Sequence, residues 1–161
     1  MSPSKLHPAQ RFMFEYGCFV AFWGNFELLM EVAIWQLTRA DPIENCRRIN
    51  GLTAGQKRDQ LRSLLETANQ TKTVVALDKV FDIAERNNWI HGHILNPKGD
   101  FSHLTRLRVT TRGGSFAVNN TPISFDVSPF QEFYKAYGDF QTTSGVNTDL
   151  CNEYIRKLQG K

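Results

Sequence analysis

The stretch from Phe12 to Leu37 constrains this chain more than any other. Phe12, Phe19, Phe22, Phe26, Leu29, Met30, Ala33 and Leu37 recur mostly at steps of three, four and seven, the period of one face of an α-helix. Tyr16, Val20, Trp23 and Ile34 form a second apolar set beside that stripe. A helix over residues 9–39 is therefore apolar around more than one face. Such a helix is central in a bundle or buried in a subunit interface. Glu15, Asn25, Glu27 and Glu31 interrupt the run. A membrane span needs ~20 largely uncharged residues, so none is expected. Asp41-Pro42 ends the helix, because proline disfavours helical backbone at the residue before it.

The remaining elements must cover that helix. A short turn or helix is expected around 43–49, and Asn50-Gly51 marks a break. Thr53-Ala54-Gly55-Gln56 fits a capping box, in which the Thr hydroxyl takes the third amide and Gln reaches back. The helix it opens carries Leu61, Leu64 and Leu65, flanked by Lys57, Arg58 and Arg62. Residues 72–92 read as another helix, with Val74, Leu77, Val80, Phe81 and Ala84 on its stripe and Gly92 as a left-handed C-cap. The period then shortens. Leu104 to Arg112 alternates apolar with Arg and Thr, Gly113-Gly114 suits a two-residue hairpin turn, and Ser115 to Val118 forms the return strand. A third short strand is placed at Ile123–Phe125. Ser128-Pro129-Phe130-Gln131 starts a helix with Ser as N-cap. That helix carries Phe133, Tyr137 and Phe140, breaks at Ser144-Gly145, and resumes through Leu150, Tyr154, Ile155 and Leu158. The expectation is one domain over residues 1–161. It is mainly α, with four to five helices and a small β-hairpin insertion at about 104–118 before the last helix.

Charge limits what such a bundle does. Nineteen basic against sixteen acidic side chains leave a net charge of +3, too small for a strongly basic protein that wraps nucleic acid. An enzyme meeting nucleic acid through a local patch remains compatible. Three cysteines, Cys18, Cys46 and Cys151, lie far apart and form no CxxC pair. The first residues lack the apolar core of a signal peptide, and a reduced, cytoplasmic protein is the simplest expectation.

Arg86-Asn87-Asn88-Trp89-Ile90-His91-Gly92 is the segment richest in chemistry. It sets an Arg, an amide and a His at the end of a helix. Cleavage of RNA by its own 2′-hydroxyl needs a proton-transfer group and fixed positive charge against the phosphorane. His serves the first role near neutral pH, and the planar Arg fork serves the second. On an ideal helix, five residues put Arg86 and His91 about 140° apart, whereas Asn87 and His91 share a face. Either Arg86 bends its long stem round the helix or a second subunit shares the site, across a two-fold axis beside these helices.

The segment resembles the HEPN superfamily, whose signature is Arg, four to six residues, then His near a helix end. Arg86 meets that spacing with His91, and again with His93. Asn87 fits the polar residue that typically follows the Arg. Phe26-Glu27-Leu28 in the first helix and the Leu-Thr-x-Gly-Gln-Lys segment opening the next are similar to it as well. The resemblance covers about residues 10–95 and the closing helix. It implies an α-bundle that dimerises around the motif. It also implies metal-independent ribonuclease activity in toxin–antitoxin, abortive-infection or other defence systems, or a member that has lost catalysis and only binds. HEPN toxins paired with a nucleotidyltransferase antitoxin carry Tyr two residues after the His. His93 stands there in this chain, so nucleotide transfer onto that Tyr is not supported.

The expected catalytic set is Arg86, His91 and Asn87, with Glu27 as a carboxylate that orients His91 across the bundle or dimer. Glu27 and Glu31 alternatively form an ordinary solvated stripe. Lys57 and Arg58 are expected on a solvated face that steers RNA weakly. Arg106 and Arg108 are the stronger RNA-contact candidates, since alternation puts both on one face. No carboxylate or Cys joins His91, His93 and His103 at ligand spacing, so neither a metal nor a cofactor is expected. The partners expected are RNA, a second copy, and an antitoxin or other defence-system protein. The rival to the endoribonuclease is a non-catalytic RNA- or protein-binding scaffold.

Overall fold

A computed structural model describes residues 6–86, 93–95, 105–112 and 115–160. For Glu85, Arg86 and the strands as far as residue 121, that description is of the backbone alone. The helices are α1 (Pro8–Thr38), α2 (Pro42–Ile49), α3 (Ala54–Thr67), α4 (Thr71–Arg86), α5 (Ser128–Ser144) and α6 (Thr148–Leu158). Between α4 and α5 lie β1 (His93–Leu95), β2 (Thr105–Arg112) and β3 (Ser115–Pro122). The molecule is a mainly helical bundle. Among the described residues the six helices exceed the four to five expected. The short 43–49 segment is a helix in its own right, and the break at Gly145 (φ 71°) separates α5 from α6.

α1 is the central element and packs against α2, α3, α5 and α6. It begins at Pro8, where the His7 ring accepts from the amide of Ala9 and Gln10 reaches back to the His7 amide at 3.1 Å. It closes at Arg39, which adopts a left-handed φ of 52°. By length and composition alone α1 is apolar enough to cross a membrane. In this fold Phe12, Phe19, Trp23, Phe26, Met30 and Ile34 are instead buried within the bundle. Two residues of the expected stripes are not core. Phe22 is 38% exposed, its ring resting on Tyr134 and Tyr137 of α5 at 5.0 and 5.2 Å, and Val20 is 51% exposed.

The aromatic residues concentrate where α1 meets α5. Phe19 meets Phe133 edge to face at 4.7 Å, Phe26 meets Phe140 at 5.2 Å, and Phe12 lies 5.4 Å from Phe130. Such tilted pairs set the positive edge of one ring against the negative face of the next. Trp23 and Phe26 also reach Phe81 of α4, at 5.4 and 5.8 Å, so α4 joins the same core.

The helix starts follow local chemistry. The Thr53–Gln56 capping box forms in both directions. At α5, Ser128 is not the N-cap. That position is Val127, which gives no side-chain bond. Asp126 does the work instead, accepting from the Ser128 amide at 2.9 Å and from its hydroxyl at 2.7 Å. These two bonds hold the Asp126 carboxyl below its ordinary pKa.

The sheet runs β1-β2-β3, antiparallel throughout, with β2 in the middle. Arg112 stands opposite Ser115, and His93 opposite Leu107. Residues 123–127 take no strand pairing, so the third strand is β1 and not Ile123–Phe125. Pro122 lies at the end of β3, and the chain beyond it leaves the ladder.

Candidate functional site

α4 carries the residue that opens the Arg-to-His motif. Its apolar face, Val74, Leu77, Val80, Phe81 and Ala84, is buried. At its start the Thr73 hydroxyl donates to the carbonyl of Thr143 near the end of α5, at 2.9 Å. The two helices therefore run antiparallel, and the end of α4 lies towards the start of α5. Arg86 is the last residue of α4, and β1 begins at His93. Asn87 and His91, together with the proposed C-cap Gly92, lie outside the described residues.

A polar string lies beside the last part of α4 and joins three helices. The guanidinium of Arg58, on α3, sits 5.0 Å from the centre of the Phe81 ring. Phe81 meets Trp23, whose indole N–H donates to Glu27 Oε1 at 2.7 Å. Lys57 Nζ lies 2.6 Å from Glu31 Oε1 and 3.8 Å from Glu27 Oε2. Arg58 touches Phe81 directly and Glu27 reaches it through Trp23, while Lys57 is tied to Glu27; Phe81 stands five residues before Arg86, about 7.5 Å of helix rise.

Two expectations change here. Lys57 is not on a solvated face. It is only 6% exposed, because α3 turns it inward against α1 and the two carboxylates repay its loss of water. Its charge is committed to the two carboxylates. Glu27 and Glu31, four residues apart, are likewise a half-buried clamp on Lys57 and not a solvated stripe. Arg58 keeps partial exposure and pairs with Asp59 at 3.1 Å. Arg106 and Arg108 both lie on the middle strand β2, opposite Thr121 and Asn119 of β3.

No family model, curated protein or solved structure matches this chain. The site therefore rests on its own residues. Among the described residues no group of three His, Cys, Asp or Glu is placed to hold a metal ion. Burial pushes the Cys151 thiol and the Tyr154 hydroxyl above their ordinary pKa, so neither is primed as a nucleophile. Tyr154 instead accepts from the buried amide of Asn45, whose oxygen accepts from Arg48.

Two clefts flank α4 and α5 at opposite ends. The larger, about 570 Å³, is lined by residues 69–73 and 142–145, at the start of α4. Its walls are mostly threonine and amide, with Lys72 the lone charged group. The other, about 340 Å³, lies in the α4–α5 seam towards Arg86 and is lined by Lys79, Asp82, Ile83, Glu132 and Lys135. None of the residues lining this groove is among the expected site residues. Only its α4 wall is legible in the sequence: residues 79, 82, 83 and 86 fall at i, i+3, i+4 and i+7 on one helical face.

Proposed function

We propose that this protein is a metal-independent endoribonuclease of the HEPN type, a cytoplasmic homodimer acting in a toxin–antitoxin, abortive-infection or other defence setting. The observation that carries the proposal is the placing of Arg86 at the last turn of α4, with Asn87 next and His91 five residues on. Arg86 stabilises the phosphate in the transition state. His91 is the general acid or base, and Asn87 positions one of them. RNA is cut by its own 2′-hydroxyl, leaving a 2′,3′-cyclic phosphate and a 5′-hydroxyl. Glu27 acts at one remove, by holding Trp23, whose ring packs on Phe81 of the helix that carries Arg86. The segment at 104–118 is an elaboration of the bundle, with Arg106 and Arg108 as RNA contacts. Non-catalytic RNA or protein binding is the alternative, and an antitoxin or defence partner fits either function.

The test is RNA incubated with the purified protein in EDTA. Cutting should persist in wild type and fall by about 10²-fold or more in Arg86→Ala and in His91→Ala, the scale of losing a general acid–base group or an oxyanion contact. The products should carry cyclic phosphate ends. RNA bound but never cut at micromolar protein would mean a binding module.

A further inference from the structure

We infer that the α4–α5 groove is the subsite for the RNA strand beside the scissile linkage, with Lys79 and Lys135 on its phosphates. The inference rests on the ribonuclease function proposed above. The groove has a volume of about 340 Å³, within the range of small-ligand sites. Its α4 wall is Lys79, Asp82 and Ile83. Arg86 continues the same face at i+7, i+4 and i+3 from them. Seven residues of helix rise about 10 Å, or three nucleotides at the stacked spacing of about 3.4 Å. A strand whose reacting phosphate lies at Arg86 and that follows α4 backwards therefore passes along this groove.

The charges suit a positioning site. Lys79 and Lys135 come from opposite walls, and among the described residues no carboxylate is paired with either. Both ammonium groups are thus available to phosphate oxygens. Asp82 and Glu132, in the same groove, bring its formal charge to zero. A neutral groove gathers nucleic acid weakly over distance but fixes the register of a strand already there. Asp82 is suited to accept from the amino group of a base. The overall charge of +3 fits this arrangement, since local contacts replace a broad basic face.

The experiment compares two substrates, a 12-nucleotide single-stranded RNA and a dinucleotide too short to span from Arg86 to Lys79. The Lys79→Gln/Lys135→Gln variant should raise KM for the 12-mer about tenfold at ~0.15 M salt and keep kcat within about twofold. The slope of log affinity against log salt should fall by about 1.4, at about 0.7 per lost single-strand contact. Cleavage of the dinucleotide and the melting temperature should match wild type. An unchanged KM and salt slope on the 12-mer, with wild-type cutting intact, would overturn the subsite and leave the ribonuclease standing. The same lysine variant is also tested for binding a non-cleavable 2′-O-methyl 12-mer by fluorescence anisotropy. Wild type that cuts neither substrate overturns the ribonuclease. If its binding of the 2′-O-methyl strand still depends on both lysines, the groove survives as an RNA site, and binding that ignores them overturns it.

Discussion

α1 meets its neighbours in two chemically opposite ways. Towards α5 it offers rings, with Phe12, Phe19 and Phe26 interleaved among Phe130, Phe133 and Phe140. Towards α3 it offers two carboxylates, Glu27 and Glu31, which close on the single ammonium of Lys57. The aromatic seam gains stability from area removed from water, contact by contact. The ionic seam works otherwise. Moving Lys57 out of water is costly, and the cost is offset only while both carboxylates face it. Damage to the first seam should scale with volume removed. Damage to the second should depend on which charges remain.

The largest effect is expected in the aromatic seam. Phe26 is fully buried and touches Trp23, Phe81 and Phe140. Phe26→Ala should cost about 3–5 kcal/mol, through lost transfer energy and the cavity left behind. Phe14 lies on the same helix but is 53% exposed, and Phe14→Ala should shift stability by about 0.5 kcal/mol or less. Urea unfolding read by circular dichroism measures both. Equal losses for the two would mean that α1 is not packed as described.

The ionic seam comes next. Lys57→Met leaves two half-buried carboxylates facing each other across a methionine, and should cost about 2 kcal/mol, less than for fully buried pairs. The triple change Lys57→Met, Glu27→Leu, Glu31→Leu should return stability to near wild type, because no uncompensated charge is left. A triple variant as unstable as the single one would show that the seam depends on the particular hydrogen bonds, including that from Trp23 to Glu27. The pattern, not the size, separates this seam from the first.

The two seams also differ in how well the sequence announces them. The rings recur at helical spacing, and Trp23, Trp35 and most Phe residues are buried as that periodicity requires. The Lys57 clamp joins residues 26 positions apart. Nothing in the local pattern says that Lys57 turns inward while Arg58 beside it stays partly exposed, since both flank the apolar stripe of α3. The same blindness affects Asn45 and Tyr154, 109 residues apart and joined in the core. Capping chemistry is legible at Thr53, where donor and acceptor lie three residues apart. It misleads at Ser128, because Asp126, two residues earlier, is the stronger acceptor. At the candidate site the Arg86-to-His91 spacing stands in the sequence. The α4–α5 groove does not, because its second wall comes from a helix about fifty residues away.

The smallest effect tests the third face of α1, which neither seam uses. Gly17 and Gly24 lie within this helix, and among the described residues a Cβ at either would meet no heavy atom within 4 Å outside the helix itself. Glycine inside a helix costs roughly 1 kcal/mol relative to alanine, since it gives up more backbone freedom on folding. Nothing in the packing of the described residues calls for it at these positions. Gly17→Ala and Gly24→Ala should therefore each stabilise the chain by up to about 1 kcal/mol, raising Tm by about 3 °C in thermal unfolding. The outcome is informative because it is sensitive to what lies outside the chain. A solvated face admits the new methyl freely, and Tm rises at every protein concentration. A face on which a second copy lies close along the glycines resists it. Tm then rises at low concentration and falls behind wild type at high concentration, where the dimer prevails.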